Sequence, residues 1–507
     1  MKYIKKIKDF DLEKWWNKFS KNIKKEDILI LITVGIFGLV NYFYFMSNIV
    51  LTPDGLTYGP FYYSGGWDFD LGRPLLIPIT MLKGNLISPT ITVFFSLIFI
   101  AISAMLLRRI YPIKSKMSIF LLSLLLVLFP SFSETALFLF CFDAYCLSFL
   151  LSVLGIYFIR KKKYLFSIGT IVVSTAIYQA YIGVTITGLV ILFILDILDK
   201  KENLKEFIIQ MFVVLGGLVA YFVLLKFGML VFHRTLADYK GASSFGLETI
   251  LLLPKSIFTA YKDFVSFFFL ENIIFNNYYL RNIINGGILL LVLVLLFFGF
   301  KKLKTSGKLL LILSIIILPI TISIMDLIAS STSITLVTAT AFFMIYLLFI
   351  ILFEKYANIN IIKSVGIVLL LMLSYTYLFS NNGTFQSRMD TFRDYYAESS
   401  YYLTKAKSLE NYSSDLPWMF NNINMYTSQV LKASNGFLAR DYETFTEYLG
   451  ITENEAFFRR FLGETITVIP EERYREIIKT EEYKNMKLDE VKIIDGVIVV
   501  KVSEVDY

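Results

Sequence analysis

Residues 28–50 read ILILITVGIFGLVNYFYFMSNIV, a run of 23 residues without one charged side chain. A helix rises about 1.5 Å per residue, so a run of this length crosses the ~30 Å hydrocarbon core of a bilayer. It follows a lysine-rich start, residues 1–27, and is longer than the apolar part of a cleavable signal peptide. We therefore expect it to stay in the membrane as the first of several spans.

Similar apolar runs recur along most of the 507-residue chain. The composition is 56% hydrophobic and only 18% charged, whereas soluble domains are about a quarter charged. The pattern predicts an all-α polytopic membrane protein with about eleven transmembrane helices. The predicted spans are 28–50, 89–110, 117–131, 135–158, 164–180, 181–198, 207–231, 283–300, 308–326, 333–353 and 361–380.

Basic residues cluster in the connections between these spans. The clusters lie at residues 2–25, 108–116, 160–163, 200–205, 301–308 and 355–363. With eleven spans, all of them fall on one side, which the positive-inside rule identifies as the cytoplasm. The net charge of +8 is thus a topology signal, and no nucleic-acid partner is expected. We expect a multi-pass protein of a bacterial plasma membrane, with a cytoplasmic N-terminus and an extracytoplasmic C-terminus.

Three segments do not have the character of spans. Residues 51–74 form an outer loop rich in Gly and Tyr, and residues 75–86 predict a short helix along the membrane interface. Residues 232–282 form a long outer loop. Within it, residues 247–270 are apolar with widely spaced charges, which favours a helix in the membrane surface. A buried span at 247–270 is the alternative.

The composition changes at residue 381. Residues 381–507 contain 15 Lys and Arg but 21 Asp and Glu. They predict a small extracytoplasmic α/β domain, which follows the basic N-terminus (1–27) and a transmembrane domain (28–380). Its predicted elements are helices at 385–411, 419–433, 453–462 and 471–484, a strand at 464–469, and a hairpin about Asp495-Gly496.

The first outer loop carries the densest set of polar and aromatic side chains, TPDGLTYGPFYYSGGWDFDLGRPLL at residues 52–76. Aromatic rings stack on sugar rings, a carboxylate can act as general base, and an arginine can clamp a phosphate. This combination suits sugar transfer from a lipid phosphate. The candidate residues are Asp54, Tyr58, Trp67, Asp68, Asp70 and Arg73. The alternative is that the three acids are solvated loop charges.

Other ionisable groups are expected to face the same outer side, because such groups are costly at membrane depth. Glu134 lies at the end of the third predicted span, and Asp143 lies about two turns into the fourth. For Asp143, one structural hydrogen bond is the alternative role. The long loop adds His233, Arg234, Asp238, Lys240, Glu271 and Arg281. His233 and the two arginines are candidates for phosphate contact, although His233 also fits an ordinary surface histidine.

Histidine and cysteine are too few to build a metal site. His233 is the only histidine, and Cys141 and Cys146 lie in one apolar run. Neither a disulfide framework nor a metal-binding spacing results. We expect no required cofactor. The alternative that a divalent ion, Mg or Mn, assists in binding the phosphate stays open.

Several of these stretches resemble the glucosyltransferase II family of bacterial membrane proteins. They are the apolar span followed by Asp54 and an aromatic loop, Gly72-Arg73-Pro74-Leu75, Phe142-Asp143-Ala144 and Ile177-Tyr178-Gln179-Ala180. The resemblance implies a C-type glycosyltransferase fold. It also implies a polyprenyl-phosphate-linked donor, typically of glucose, and transfer to a surface polysaccharide.

The same resemblance implies roles for individual residues. Asp54 takes the place of the family's catalytic acid, Arg73 matches its Gly-Arg, and Gln179 joins the substrate-binding candidates. One departure is that Gly55 stands where family members often have a second acid. Asp68 and Asp70 therefore remain alternative bases.

The expected reaction is a single inverting displacement. Asp54 takes the proton of an acceptor hydroxyl, and Arg73, with Arg234 or Arg281, stabilises the leaving polyprenyl phosphate. The expected partners are the lipid-linked sugar, a glycopolymer acceptor and the bilayer. The rival functions are a lipid-linked polysaccharide polymerase or ligase and a transporter or flippase of lipid-linked sugars. Having only two arginines in the long loop disfavours the first, and the lack of an inverted repeat disfavours the second.

Overall fold

A computed structural model describes residues 24–48, 52–59, 61–64, 66–237, 247–270, 278–328, 335–357, 359–421 and 451–502. The helices up to residue 407 are α1 (Lys25–Ser47), α2 (Pro53–Thr57), α3 (Trp67–Asp70), α4 (Leu76–Met81), α5 (Pro89–Ile110), α6 (Lys116–Leu128), α7 (Pro130–Leu137), α8 (Phe142–Arg160), α9 (Tyr164–Ile177), α10 (Ile182–Leu198), α11 (Leu204–Val231), α12 (Leu247–Val265), α13 (Tyr278–Phe300), α14 (Thr305–Ile322), α15 (Ile324–Ile328), α16 (Phe343–Tyr356) and α17 (Asn360–Lys407). Short 3₁₀-helices, Gln179–Tyr181 and Leu336–Phe342, precede α10 and α16, and a π-helical stretch, Ser266–Leu270, extends α12.

Ten helices among the described residues are long and apolar enough to cross a membrane. They are α1, α5, α6 with α7, α8, α10, α11, α13, α14, α16 and α17. The remaining predicted span, the fifth (164–180), is the 14-residue helix α9, which packs between α8 and α11. At about 21 Å, α9 alone is shorter than the hydrocarbon core. It nevertheless runs from the basic connection at 160–163 to Tyr178 beside Arg73 of the first loop, so it connects the two ends of the bundle as the predicted span does. The chain is therefore a multi-pass, mainly α-helical membrane protein, as the sequence predicts.

The boundaries of the third and fourth spans differ from the prediction. The third span continues through α7 to Leu137 with an interruption at Phe129, and α8 begins only at Phe142. Pro130 has no backbone N–H to donate, which interrupts the helical ladder. Asn381 on α17 donates its side-chain N–H groups to the carbonyl of Leu128 and to Asn41, both at 3.0 Å. A neighbouring helix thus stabilises the interruption.

Two predicted positions change with these boundaries. Glu134 lies inside α7 and is only 3% exposed, rather than at the end of a span. Asp143 lies in the first turn of α8 and not two turns inside the membrane. A carboxylate in the first turn of a helix is stabilised by the helix dipole.

Ion pairs gather the basic connections at one end of the bundle. Asp27 at the start of α1 binds Arg109 at the end of α5, at 2.8 Å. Asp196 near the end of α10 binds Arg160 at the end of α8, at 3.1 Å. Lys355 at the end of α16 also pairs with Asp199. The connections that the sequence assigns to one side are therefore neighbours in space.

The other end of the bundle carries the first outer loop, with α2, α3 and α4. The interfacial helix predicted at 75–86 is the shorter helix α4, and the one predicted at 247–270 is α12 with its extension. Neither is among the ten helices that could cross a membrane. Their location in the membrane surface stays a prediction. Asp238, Lys240 and Glu271 lie outside the described residues.

One 48-residue helix, α17, replaces two predicted helices, 361–380 and 385–411. The composition changes at residue 381 because the two halves of this helix pack against different parts of the protein. Its first half packs against α1, α6 and α13, whereas Tyr402 and Ala406 in its second half are buried in a separate hydrophobic core. The domain boundary at residue 380 stays a prediction, although no break in the helix marks it.

The C-terminal unit comprises the second half of α17, a three-stranded sheet and short helices. Its other elements are β1 (Trp418–Asn421), α18 (Ile451–Phe457), a π-helix Phe458–Leu462, α19 (Glu471–Ile477), α20 (Glu481–Lys484), β2 (Glu490–Ile494) and β3 (Val497–Lys501). The strand order is β1-β3-β2, with β1 parallel and β2 antiparallel to β3.

Most of the predicted C-terminal elements are present. The hairpin about Asp495-Gly496 is confirmed, with positive φ at both turn residues as a type I′ turn requires. The helix predicted at 453–462 is confirmed, and the one at 471–484 is divided into α19 and α20. The strand predicted at 464–469 is wrong, because only an isolated bridge from Val468 to Trp418 forms. The helix predicted at 419–433 begins in β1 instead, and residues 422–450 lie outside the described residues.

We predict that Asn381→Ala lowers the free energy of unfolding by about 1–2 kcal/mol, because it leaves the buried carbonyl of Leu128 without a donor. The measurement is the thermal unfolding midpoint of the purified protein in detergent. Asn382→Ala is the matched control, because Asn382 donates only to Leu378 within its own helix. Equal midpoints for the two variants would show that Asn381 does not stabilise the interruption.

Candidate active site

Asp54 lies in the first turn of α2, immediately after the first span. Thr52 caps this helix by accepting a hydrogen bond from Gly55 N at 3.2 Å, and Pro53 favours its first turn. The Asp54 side chain is exposed. Desolvation by the surrounding protein, with repulsion from Glu453 and Asp68, nevertheless raises its pKa, and Arg73 opposes the shift. Asp54 is therefore an accessible carboxylate with an increased affinity for protons, as a general base requires.

Aromatic rings line the loop beside Asp54. Tyr58 and Tyr62 meet edge to face at 4.8 Å, and Tyr62 stacks on Phe140 at 4.7 Å. The Tyr62 hydroxyl donates a hydrogen bond to Asp68, which is only 3% exposed. The alternative of a solvated loop charge is therefore wrong for Asp68. Its carboxylate is buried and engaged, so it is a poorer candidate for the base than Asp54.

The Gly72-Arg73 turn is fixed to the bundle by two side chains. Gln179 Nε2 donates to the carbonyls of Leu71 and Gly72, both at 2.8 Å, and the Tyr221 hydroxyl donates to Gly72 O at 2.6 Å. Gly72 has φ +77°, a left-handed conformation that favours glycine. The observed contacts of Gln179 are therefore with the backbone of the loop.

Arg73 points into an aromatic pair provided by two spans. Its Nη1 donates to the Tyr145 hydroxyl at 2.9 Å, and its guanidinium lies 5.1 Å from the ring centroid of Tyr178. The two rings stack on each other at 4.1 Å. These contacts leave the buried Nε of Arg73 without a hydrogen-bond partner. The arginine is held in place and retains a free donor.

Asp143 forms an ion pair with Lys83 at 2.6 Å. Both side chains are largely buried, at 13% and 14% exposure. The alternative role predicted for Asp143 is one structural hydrogen bond, but its contact is an ion pair. It adds a second cation, Lys83, to the region that contains Arg73. Arg73 contacts Tyr145, two residues after Asp143 on the same helix. The two cations therefore belong to one region of the molecule.

The start of the long outer loop is attached to the first loop. Arg234 Nη1 binds Asp70 Oδ2 at 3.0 Å, and Ala237 N donates to Asp70 O at 2.9 Å. Asp70 is therefore a structural ion-pair partner rather than a solvated charge. Trp67 is 44% exposed, which leaves its ring accessible to a ligand. His233 is also exposed and ends α11 with φ 51°.

Two predicted site residues belong to contacts inside the helix bundle. Glu134 is buried in α7, which packs against the 3₁₀-helix Leu336–Phe342. Arg281 is 6% exposed on α13 and donates to Asn282 Oδ1 at 3.3 Å. One turn further on, Asn285 accepts a hydrogen bond from Tyr346 at 2.9 Å. The described contacts of Glu134 and Arg281 are with the helix bundle, and a substrate role for either residue stays a prediction.

Sequence reasoning missed Lys83 and Tyr145. Lys83 is the single charge in an otherwise apolar interfacial segment, which is a signal that could have identified it. Tyr145 lies about half a helical turn from Asp143 on α8. Its role, which is to accept a hydrogen bond from Arg73, becomes visible only from the position of Arg73. No group of three or more His, Cys, Asp or Glu within the described ranges could hold a metal ion.

Comparison with protein families gives one match. The model of a family described as Glucosyl transferase GtrII matches residues 37–353, well over half of the chain. The match includes the first outer loop, the ion pair of Lys83 with Asp143, and Arg234. No curated protein and no solved structure matches the chain.

We predict that Gly72→Ala destabilises the protein more than Gly84→Ala. Both glycines have positive φ, so both variants incur a similar backbone strain of about 1 kcal/mol. At Gly72 the new Cβ would also lie 2.7 Å from Gln179 Nε2 and 2.8 Å from the Tyr221 hydroxyl, whereas nothing lies within 4 Å at Gly84. Thermal unfolding in detergent measures both. Equal losses would mean that the Gln179 and Tyr221 contacts do not hold the loop.

Proposed function

Because the chain belongs to the glucosyl transferase GtrII family, we propose that it transfers glucose from a polyprenyl-phosphate donor to a cell-surface polysaccharide at the outer face of the membrane. The observation that carries this proposal is the first outer loop. It presents an exposed carboxylate with a raised pKa, Asp54, and a fixed guanidinium with a free donor, Arg73. These are the two groups that a displacement at a sugar phosphate needs.

The proposed reaction is one displacement at the anomeric carbon. The acceptor hydroxyl gives its proton to Asp54 while its oxygen bonds to the anomeric carbon. The bond from that carbon to the phosphate oxygen breaks, and polyprenyl phosphate leaves with the electron pair. Attack from the side opposite the leaving group inverts the anomeric configuration. Asp54 lowers the barrier because it removes the proton as the new bond forms.

The leaving phosphate gains negative charge in the transition state, and fixed cations stabilise such charge most effectively. Arg73 is held by Tyr145 and Tyr178, so it needs little reorganisation before it binds the phosphate. Its Nε is buried without a hydrogen-bond partner, so a phosphate oxygen that reached it would be its first acceptor. Lys83 supplies a second positive charge in the same region, with Asp143 keeping it in position.

The distribution of basic residues supports the proposed orientation. The basic connections gather at the end of the bundle where Asp27 binds Arg109 and Asp196 binds Arg160. By the positive-inside rule this end is cytoplasmic. The first loop and the C-terminal unit then face the outside, where a surface polysaccharide is available. The donor's lipid tail would lie among the membrane helices beside α4.

We predict that Asp54→Asn lowers transfer by about 10²–10⁴-fold, since this is the usual contribution of a positioned general base. The assay uses the full chain reconstituted with polyprenyl-phosphate-glucose and measures loss of glucose from the donor, with and without EDTA to test for a metal ion. Asp415→Asn, an exposed turn residue, is the control.

Other results would contradict parts of the proposal. Full activity of Asp54→Asn would move the base to Asp68 or Asp70, which are tested by the same substitution. No turnover by the wild-type protein with any polyprenyl-phosphate sugar, even with acceptor present, would favour a transporter of lipid-linked sugars.

We also predict that a cysteine at Glu482 reacts with a membrane-impermeant maleimide in intact cells, whereas a cysteine at Lys161 reacts only after the membrane is opened. Both positions are exposed, and the native Cys141 and Cys146 are buried and should not interfere. The reverse labelling pattern would place the C-terminal unit in the cytoplasm and contradict the orientation.

A further inference from the structure

The C-terminal unit lies directly against the helix that carries Asp54. Helix α18 packs on α2, although about 400 residues separate them in the sequence. The described residues of α18 and beyond, 451–502, lie outside the 37–353 region that matches the family. The family match therefore says nothing about what this unit contributes.

The strongest contact is hydrophobic. Leu56, two residues after Asp54, is only 1% exposed and belongs to the core of the C-terminal unit rather than to that of the membrane helices. Its buried companions in this core include Tyr395, Tyr402, Trp418, Phe457, Phe458 and Val500. A side chain from α2 thus completes the packing of the unit, and the unit in turn anchors α2.

Polar contacts flank this anchor on both sides. Arg460 Nη1 donates a hydrogen bond to Gly55 O at 3.1 Å. Thr57 Oγ1 donates to Glu453 Oε1 at 3.4 Å. The three residues that follow Asp54 all contact the unit, while Asp54 itself stays exposed. This arrangement fixes the backbone of α2 without covering its carboxylate.

We infer that the C-terminal unit is part of the active site and that Arg460 and Glu453 are positioning residues, which hold Asp54 where it meets the acceptor hydroxyl. The inference rests on the proposed function, in which Asp54 is the base. A displacement of about 1 Å at a catalytic group can reduce the rate by about 100-fold. Anchoring of this short helix is therefore expected to matter for turnover.

Three charged groups act on Asp54: Glu453 from α18, and Asp68 and Arg73 from the first loop. Arg460, from the π-helix that follows α18, contacts the adjacent backbone at Gly55 O. Glu453→Gln keeps an acceptor for Thr57 but removes a negative charge. The pKa of Asp54 should then fall, because repulsion no longer disfavours its charged form. The acidic limb of kcat/KM should move to lower pH, which a merely structural role of Glu453 would not cause.

The test of positioning uses Arg460→Ala in the full chain, with Arg459→Ala as matched control, since Arg459 is the exposed neighbouring arginine. We expect Arg460→Ala to lower kcat for polyprenyl-phosphate-glucose turnover by about 10- to 100-fold. Arg460→Lys should restore much of it, because lysine can still donate to Gly55 O. Hydrogen–deuterium exchange of peptides covering 52–59 should increase in Arg460→Ala and stay at the wild-type level in Arg459→Ala.

The exchange measurement separates this inference from the proposed function, because it does not depend on activity. Equal exchange in the two alanine variants, or increased exchange without loss of kcat, would overturn the inference. The proposed function would still stand if Asp54→Asn were inactive in the same preparation. An unmoved acidic limb in Glu453→Gln would remove Glu453 from the positioning residues.

Discussion

The carbonyl oxygen of Gly72, which accepts hydrogen bonds from Gln179 and Tyr221, attaches the first outer loop to the helix bundle. The left-handed turn at this glycine directs Arg73 into the ring pair of Tyr145 and Tyr178. Without this attachment, a loop of mixed glycines and aromatic residues would have no fixed path. The contacts of Arg73 with Tyr145 and Tyr178 depend on the path that this carbonyl sets.

The acidic and basic side chains at the outer end of the bundle have different roles, because most of them are paired with each other. Asp68 accepts from Tyr62, Asp70 binds Arg234, and Asp143 binds Lys83. Paired carboxylates of this kind fix the path of a loop and balance charge. Asp54 is exposed, and the buried Nε of Arg73 has no hydrogen-bond partner within the protein. Pairing elsewhere thus leaves these two groups for chemistry.

The sequence predicted what depends on local pattern. Long uncharged runs defined the spans, and the order of Asp54 and Arg73 in one loop indicated the site. The sequence did not predict the features that depend on contacts between distant residues. The third span runs on through Pro130 because Asn381, about 250 residues away, caps the interruption. The role of the C-terminal unit also depends on Leu56 entering a core formed by a remote part of the chain. No local pattern contains this information.

The unbroken helix α17 has a mechanical consequence. It is about 72 Å long, so roughly 40 Å extends beyond the hydrocarbon core. Its membrane half is joined to α1 through Asn381 and Asn41, and its outer half shares a core with Leu56. A small tilt of the last span would therefore produce a larger lateral displacement at the far end of α17. Through the core that it shares with Leu56, such a displacement would be transmitted to α2.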